Sequence, residues 1–347
     1  MTADCPAPVG LLAQLARLGI VIWREQDRLC VRMPREAQIG TIEAEIAASE
    51  PDLLNVCHET HAPDELLYPL AVSRSADRYL ICIHPVHGGV FDYRHVAAAM
   101  SPTHSVYAFQ ALHWLDTRSI PSVRDMAVHY ARRLLERGMT GQPVVLYGAS
   151  AGGWIALEMA RYLSGLGHEP ELVVLADTLD VSTTDSPIGR VLLDRFIWVG
   201  LLEIYAPPEL LDIAPSKHSF WTLDTHQRIS YIIERMRALP EGICRMRPDA
   251  GRLAEYLETY QAYFRVYGDH ALQPYHGRSL YVTCSGVGWA RTTKTRAALR
   301  GPARLATIPG NHIACLRPDA APEIARLIQE ASREEVSGCL PESTVRS

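Results

Sequence analysis

Apolar positions along this chain follow two rhythms. Between residues 79 and 176, short continuous apolar runs alternate with stretches where apolar residues recur every three or four positions. Tyr79 to Ile83, Ser105 to Leu112, Val144 to Tyr147 and Leu172 to Ala176 read as strands buried on both faces. The stretch opened by Ser122, a predicted helix cap, and the stretch holding Ile155, Met159 and Tyr162 read as helices between them. Strands that alternate with helices predict a parallel sheet covered on both sides. The same rhythm returns late in the chain, with strands over Ser279–Ser285 and Arg304–Gly310 and a last helix over Ala321–Ala331.

From Ser186 to about Leu253 the rhythm breaks. This stretch is apolar and helical in pattern, and an insertion of that size between two core strands reads as a lid. Phe196, Trp198, Phe220 and Trp221 either line an acyl pocket or form the lid's own core. Tyr256, Tyr260, Tyr263 and Tyr267 make a helical stripe of the kind that packs.

The first sixty or so residues have a pattern of their own. Leu11, Leu12, Leu15 and Leu18 predict a short helix stopped by Gly19. Two β-rich runs, Ile20–Arg24 and Arg28–Arg32, flank a polar turn and predict a hairpin. Ile39–Ala48 and Pro51–Cys57 predict two more short helices. The expected organisation is a small α+β module over 1–60 and a linker over 61–75. An α/β domain follows over 76–332 with its lid at about 186–253, and a polar, flexible tail over 333–347.

Composition narrows the function classes. With 347 residues and 48% hydrophobic content the chain has enough apolar material for a large domain and a small one. A net charge of −5 without a basic stripe argues against a nucleic-acid partner. No run of about 20 apolar residues predicts a membrane span, and the start of the chain has no signal-type pattern. None of the eight cysteines forms a Cys-x-x-Cys pair. His58 and His61 have no nearby third ligand, so neither a metal nor a bound cofactor is expected. The chain reads as a reduced, cytoplasmic protein.

The candidate chemistry lies where the third strand of the α/β rhythm meets its helix. Gly148-Ala149-Ser150-Ala151-Gly152 is a Gly-x-Ser-x-Gly motif placed between strand and helix, the context of a nucleophile elbow. A side chain at Gly148 or Gly152 is expected to collide with the neighbouring strand or helix. The first strand runs into Pro85 to Tyr93, a glycine-containing loop. In hydrolases with this elbow one oxyanion donor comes from such a loop and the other from the residue after the nucleophile. The backbone N–H groups of Val86 and Ala151 are therefore the assigned donors. Asp177 closes the next strand, and either orients a histidine or caps the following turn. The strand ending at Ser285 is followed by no carboxylate, which favours Asp177 as the acid. His312, in a Gly-Asn-His step before the final helix, completes the order Ser150, Asp177, His312 expected of this fold. His84 is expected to pack beneath the early loop and His87 to line the entrance.

Two resemblances follow from these residues. His84-Pro85 through Tyr93, Val106 to Gln110, Gly148 to Gly153, Glu158 to Ala160 and Val173 to Asp177 resemble the thioesterase domains of non-ribosomal peptide and polyketide synthases, over about Leu66 to Glu330. His87 stands where that family usually has glycine, and Asp92 where a small residue is common. The resemblance implies an α/β-hydrolase fold and a serine enzyme that accepts an acyl chain from the phosphopantetheine of a carrier protein. The expected role is a free-standing enzyme that releases the chain by hydrolysis or cyclisation; the alternatives are editing of stalled chains, shuttling between carriers and a non-catalytic docking scaffold. Leu11 to Leu15, Gly19-Ile20, Trp23 and Asp27 to Val31 resemble the N-terminal docking domains of the tubulysin-synthetase type. That resemblance implies that the hairpin, with Trp23, Arg28 and Arg32, receives the tail of an upstream synthase subunit.

Overall fold

The computed structural model describes residues 11, 15, 20–25, 28–32, 42–56, 66–73, 75–86, 88–111, 120–180, 194, 197–198, 218–237, 250–286 and 292–333. The hairpin forms as the pattern predicts. β1 (Val21–Glu25) pairs antiparallel with β2 (Arg28–Arg32), and α1 (Ile42–Ala48) and α2 (Glu50–Val56) follow. Leu11, Leu15, Ile20, Ile22, Ile42, Ile46 and Leu53 make a small apolar core of their own. The Tyr68 hydroxyl donates to the Ile22 carbonyl at 2.6 Å and joins this core to the strand that comes next.

That strand, β3 (Leu67–Ala71), falls within the stretch read from sequence as linker. All five of its residues are buried, and it pairs antiparallel with β5 at the sheet's edge. Pro69 within the run argues against a strand by pattern alone, but an edge strand tolerates a proline. β4 (Tyr79–Ile83), α3 (Arg94–Met100), β5 (Ser105–Phe109), α4 (Val123–Glu136), β6 (Val144–Ala149), α5 (Gly152–Gly165) and β7 (Leu172–Ala176) then alternate as expected. Ser122 caps α4, accepting from the Asp125 N–H at 3.1 Å.

Residues 181–269 form one compact unit. Its described helices are α6 (His218–Trp221), α7 (Thr225–Arg237) and α8 (Ala250–Gly268). α8 carries the tyrosine stripe. Tyr260, Tyr263 and Tyr267 are buried, as a packing stripe should be. Trp198 and Phe220 are buried edge-to-face, and the Arg228 guanidinium lies over both rings while pairing with Asp194 at 2.7 Å. These two aromatics are core of the unit. Phe196 lies outside the described residues.

The sheet is completed by β8 (Ser279–Cys284) and β9 (Ala303–Ile308), with α9 (Thr293–Ala298) between them and α10 (Ala321–Arg333) last. Seven strands lie in the order β3-β5-β4-β6-β7-β8-β9, all parallel except β3. α3 and α10 cover one face with a continuous apolar core. Among the described residues no helix is long and apolar enough to cross a membrane.

Candidate active site

β6 ends at Ala149 and α5 begins at Gly152, so Ser150 and Ala151 alone reverse the chain. Ser150 does so with φ of 54°, a conformation that costs a residue with a side chain about 1–2 kcal/mol. Its N–H donates to the Ala176 carbonyl at 2.8 Å, which extends the β6–β7 ladder by one bond. A Cβ on Gly148 would overlap the backbone at Gly152 and Gly153, and one on Gly152 would overlap the carbonyls of Ile83 and His84. The glycines therefore let the first turn of α5 sit directly against the strand ends, with its N-terminal dipole near Ser150.

One strand over, Asp177 repeats the geometry. Its φ is 48°, and its N–H donates to the Val282 carbonyl at 2.7 Å. The side chain is fully buried. Oδ1 accepts from the Thr283 hydroxyl at 3.0 Å and the Cys284 N–H at 2.8 Å. Oδ2 lies 2.6 Å from Nδ1 of His312, whose Nε2 lies 2.9 Å from Oγ of Ser150. The three residues singled out in the sequence thus form one hydrogen-bonded chain, Ser150–His312–Asp177.

His312 comes from the loop after β9. Gly310 turns this loop with φ of 116°, and two bonds tie it to the end of β8: Gly286 N–H to the Gly310 carbonyl at 2.8 Å, and Gly310 N–H to the Ser285 hydroxyl at 3.2 Å. Beyond the histidine, the Cys315 thiol reaches the His312 carbonyl at 3.4 Å and the Tyr147 hydroxyl reaches the Cys315 carbonyl at 3.3 Å. Its bond to Cys284 and its burial push the Cys315 thiol well above its usual range, and burial does the same to the Tyr147 phenol. Both groups stay neutral, so no second anion forms under Asp177 at ordinary pH.

Val86 and Ala151 lie at the two loops next to Ser150, and Val86 is buried. The early loop is held from below as expected for His84. This ring is fully buried, 2.9 Å through Nδ1 from the Pro85 carbonyl and 3.0 Å through Nε2 from the Tyr130 hydroxyl. His87 lies outside the described residues. Trp23, Arg28 and Arg32 are all on the β1–β2 hairpin, where Trp23 pairs with Cys30 and Arg32 with Val21, and Arg28 is exposed. Among the described residues no cluster of His, Cys, Asp or Glu could hold a metal.

Sequence reasoning missed the groups that hold the acid and the elbow in place. Thr283 and the Cys284 N–H sit on a strand distant in sequence from Asp177, and nothing in the β8 pattern marks them. Tyr93 is within the early loop motif, but its place at the ends of two strands becomes visible only in the fold.

Residues 78–188 match the Thioesterase domain family. The chain is 34% identical over 113 residues to the nonribosomal peptide synthetase agiA of Aspergillus flavus, covering 32% of this chain and 2% of that protein. It is 32% identical over 159 residues to the spectinabilin polyketide synthase system protein NorC of Streptomyces orinoci, covering 45% of this chain and 7% of NorC. The chain therefore spans only a small part of these curated relatives. Among solved structures, the type II thioesterase BorB from the borrelidin biosynthetic cluster matches with a TM-score of 0.54 and 20% identity, over 79% of this chain and all of BorB. The NocB thioesterase domain, in covalent complex with a fluorophosphonate nocardicin G analog, matches with a TM-score of 0.52 and 16% identity, over 76% of this chain and 97% of NocB. These likenesses establish a shared α/β-hydrolase fold. The match to the Thioesterase domain family runs from just before β4 through the Ser150 elbow to beyond Asp177.

Proposed function

We propose that this chain is a serine thioesterase that acts on acyl or peptidyl chains delivered on a carrier protein. The observation that carries the reading is the unbroken relay from Ser150 Oγ through His312 to the buried Asp177 carboxylate, set on a strained elbow. In the acylation step His312 Nε2 takes the Ser150 proton as Oγ attacks the thioester carbonyl. Asp177 holds the ring with its proton on Nδ1 and stabilises the imidazolium that forms. The N–H groups of Val86 and Ala151 bind the oxyanion, a contribution of about 3 kcal/mol for each such donor. The tetrahedral centre then collapses: the C–S bond breaks, His312 returns the proton to the departing thiolate, and the acyl group stays on Ser150. Water, or a nucleophile within the chain itself, releases the product by the same route in reverse, giving hydrolysis or cyclisation.

The carrier arrives in trans, and residues 1–60 serve as the docking module that brings it, with Trp23, Arg28 and Arg32 of the hairpin contacting the tail of an upstream subunit. Strand addition to a hairpin edge supplies main-chain bonds that need no particular sequence, and the side chains select the partner. Tethering of this kind raises the local concentration of the carrier. Residues 61–66 connect the module to β3, and the stretch over about 186–253 serves as the lid.

The test is intact mass spectrometry of the full chain mixed with loaded carrier. Wild type should gain the acyl mass on Ser150 and then release it, whereas Ser150→Ala should do neither, with turnover down at least about 1,000-fold. Product release unchanged in that variant would end the enzymatic reading. Preference for short, stalled acyl chains over the full-length chain would turn release into editing. For docking, residues 1–60 should bind the C-terminal tail of at least one neighbouring synthase subunit, and binding to none of them would retire that role.

A further inference from the structure

The two proposed oxyanion donors lie just beyond the ends of two adjacent strands. β4 and β6 run parallel in register from Tyr79 opposite Val144 to Ile83 opposite Gly148. In that register the last rung links the Ala149 N–H with the Ile83 carbonyl. The Tyr93 hydroxyl reaches both groups: it donates to the Ile83 carbonyl at 2.6 Å and accepts the Ala149 N–H at 3.1 Å. Val86 lies three residues past one end of this rung, and Ala151 two residues past the other.

The phenol is held there firmly. Tyr93 is fully buried, closes a single helical turn over Phe91–Tyr93, and packs edge-on against Tyr147 at 5.3 Å between ring centroids. Its N–H donates to the Val90 carbonyl at 3.1 Å, so the turn that carries it is anchored in the same early loop. Burial raises the phenol's pKa well above its usual value, so the group remains a hydroxyl, able to donate and accept at once.

We infer that Tyr93 is a positioning residue, whose hydroxyl fixes the separation of the Val86 and Ala151 amides by clamping the ends of β4 and β6. The inference rests on the thioesterase reading, because only an oxyanion gives that separation a catalytic meaning. Donors preorganised for the oxyanion act mainly in the transition state. Loosening the clamp should therefore lower kcat and leave KM alone.

The experiment compares wild type, Tyr93→Phe and Tyr68→Phe on an acyl N-acetylcysteamine thioester, a small mimic of the phosphopantetheine terminus. Tyr68 supplies a matched control: its buried hydroxyl also donates to a main-chain carbonyl at 2.6 Å, but to Ile22 in the N-terminal module. Tyr93→Phe should lower kcat about tenfold with KM within about twofold. It should weaken an alkyl boronic acid that adds to Ser150 by a similar factor. Tyr68→Phe should change neither, whatever it does to the melting temperature. A kcat for Tyr93→Phe within about twofold of wild type, or an equal loss in Tyr68→Phe, would overturn the role. Should Tyr93→Phe fail to fold, 3,5-difluorotyrosine at position 93 keeps the hydroxyl but weakens it as an acceptor. The same split between kcat and KM is then expected, and its absence overturns the role. Wild type that neither hydrolyses the thioester nor takes a fluorophosphonate on Ser150 would overturn the thioesterase reading itself, an outcome distinct from an active wild type indifferent to Tyr93→Phe.

Discussion

The ends of β6 and β7 are close to copies of one another. Each strand stops one residue before a left-handed turn, and at each turn the first N–H bonds the next strand, Ser150 to Ala176 and Asp177 to Val282. They differ in where the strain is absorbed. At Ser150 it is absorbed by glycines: space is cleared for α5 at Gly148 and Gly152, and the hydroxyl is left partly exposed toward His312. At Asp177 it is absorbed by hydrogen bonds: the carboxylate turns inward onto Thr283, Cys284 and His312 and is fully buried. One turn presents a reactive atom by removing side chains around it. The other fixes a charge by surrounding it with donors.

The largest effect should come from taking the charge out of the second turn without changing its shape. In Asp177→Asn the amide oxygen can keep the bonds from Thr283 and Cys284, which points the NH2 group at His312. The imidazole must then carry its proton on Nε2, where it can no longer accept from Ser150. Turnover of a thioester should fall about 10,000-fold, as in serine hydrolases with this relay, while the fold survives. Steady-state kinetics on purified variant and wild type decide it. A loss under about tenfold would mean that Asp177 serves the corner alone and the comparison has only one functional half.

A second experiment separates the two ways of absorbing strain. Ser150→Gly removes a left-handed side chain that gives the fold little, so urea unfolding should show a gain of about 0.5 kcal/mol. Asp177→Gly relieves the same backbone strain but strands the buried donors Thr283 and Cys284 N–H. Each unsatisfied donor costs about 1–3 kcal/mol, so that variant should lose about 2 kcal/mol net or more. Opposite signs are the expected result. If both variants are stabilised, the donors around Asp177 contribute nothing to the fold, and the contrast drawn between the turns is wrong.

This contrast also explains what could be read from the sequence. The Ser150 elbow was legible because its solution is written locally, as glycines two residues either side of a serine between an apolar run and a helical pattern. The central parallel strands β4 to β7 were legible for the same reason: each is a largely continuous apolar run. Asp177 and His312 could be named by position and order, and the fold brings both to Ser150. Their supports could not be named, because Thr283, Cys284 and Tyr147 act from strands more than 100 residues away from their partners. β3 was lost in the expected linker because an edge strand with a proline lacks the run that marks a central strand.

The smallest effect gives the finest measure of how the second turn works. Thr283→Val keeps the size and branching of a fully buried side chain and removes only its 3.0 Å bond to Asp177 Oδ1. The Cys284 N–H remains on the same oxygen at 2.8 Å, so the carboxylate keeps a main-chain anchor and its bond to His312. A hydrogen bond to a charged group contributes about 1.5–3 kcal/mol, but here a second donor shares the work. The loss in kcat should therefore be only about fivefold, close to 1 kcal/mol, with KM unchanged. A loss approaching that of Asp177→Asn would show that the side-chain donor alone aims the carboxylate. An unchanged kcat would show that the backbone of β8 suffices. In that case the two turns are more alike than they look, since each would be held by main-chain geometry and the glycines would differ from the donors only in which neighbour they let approach.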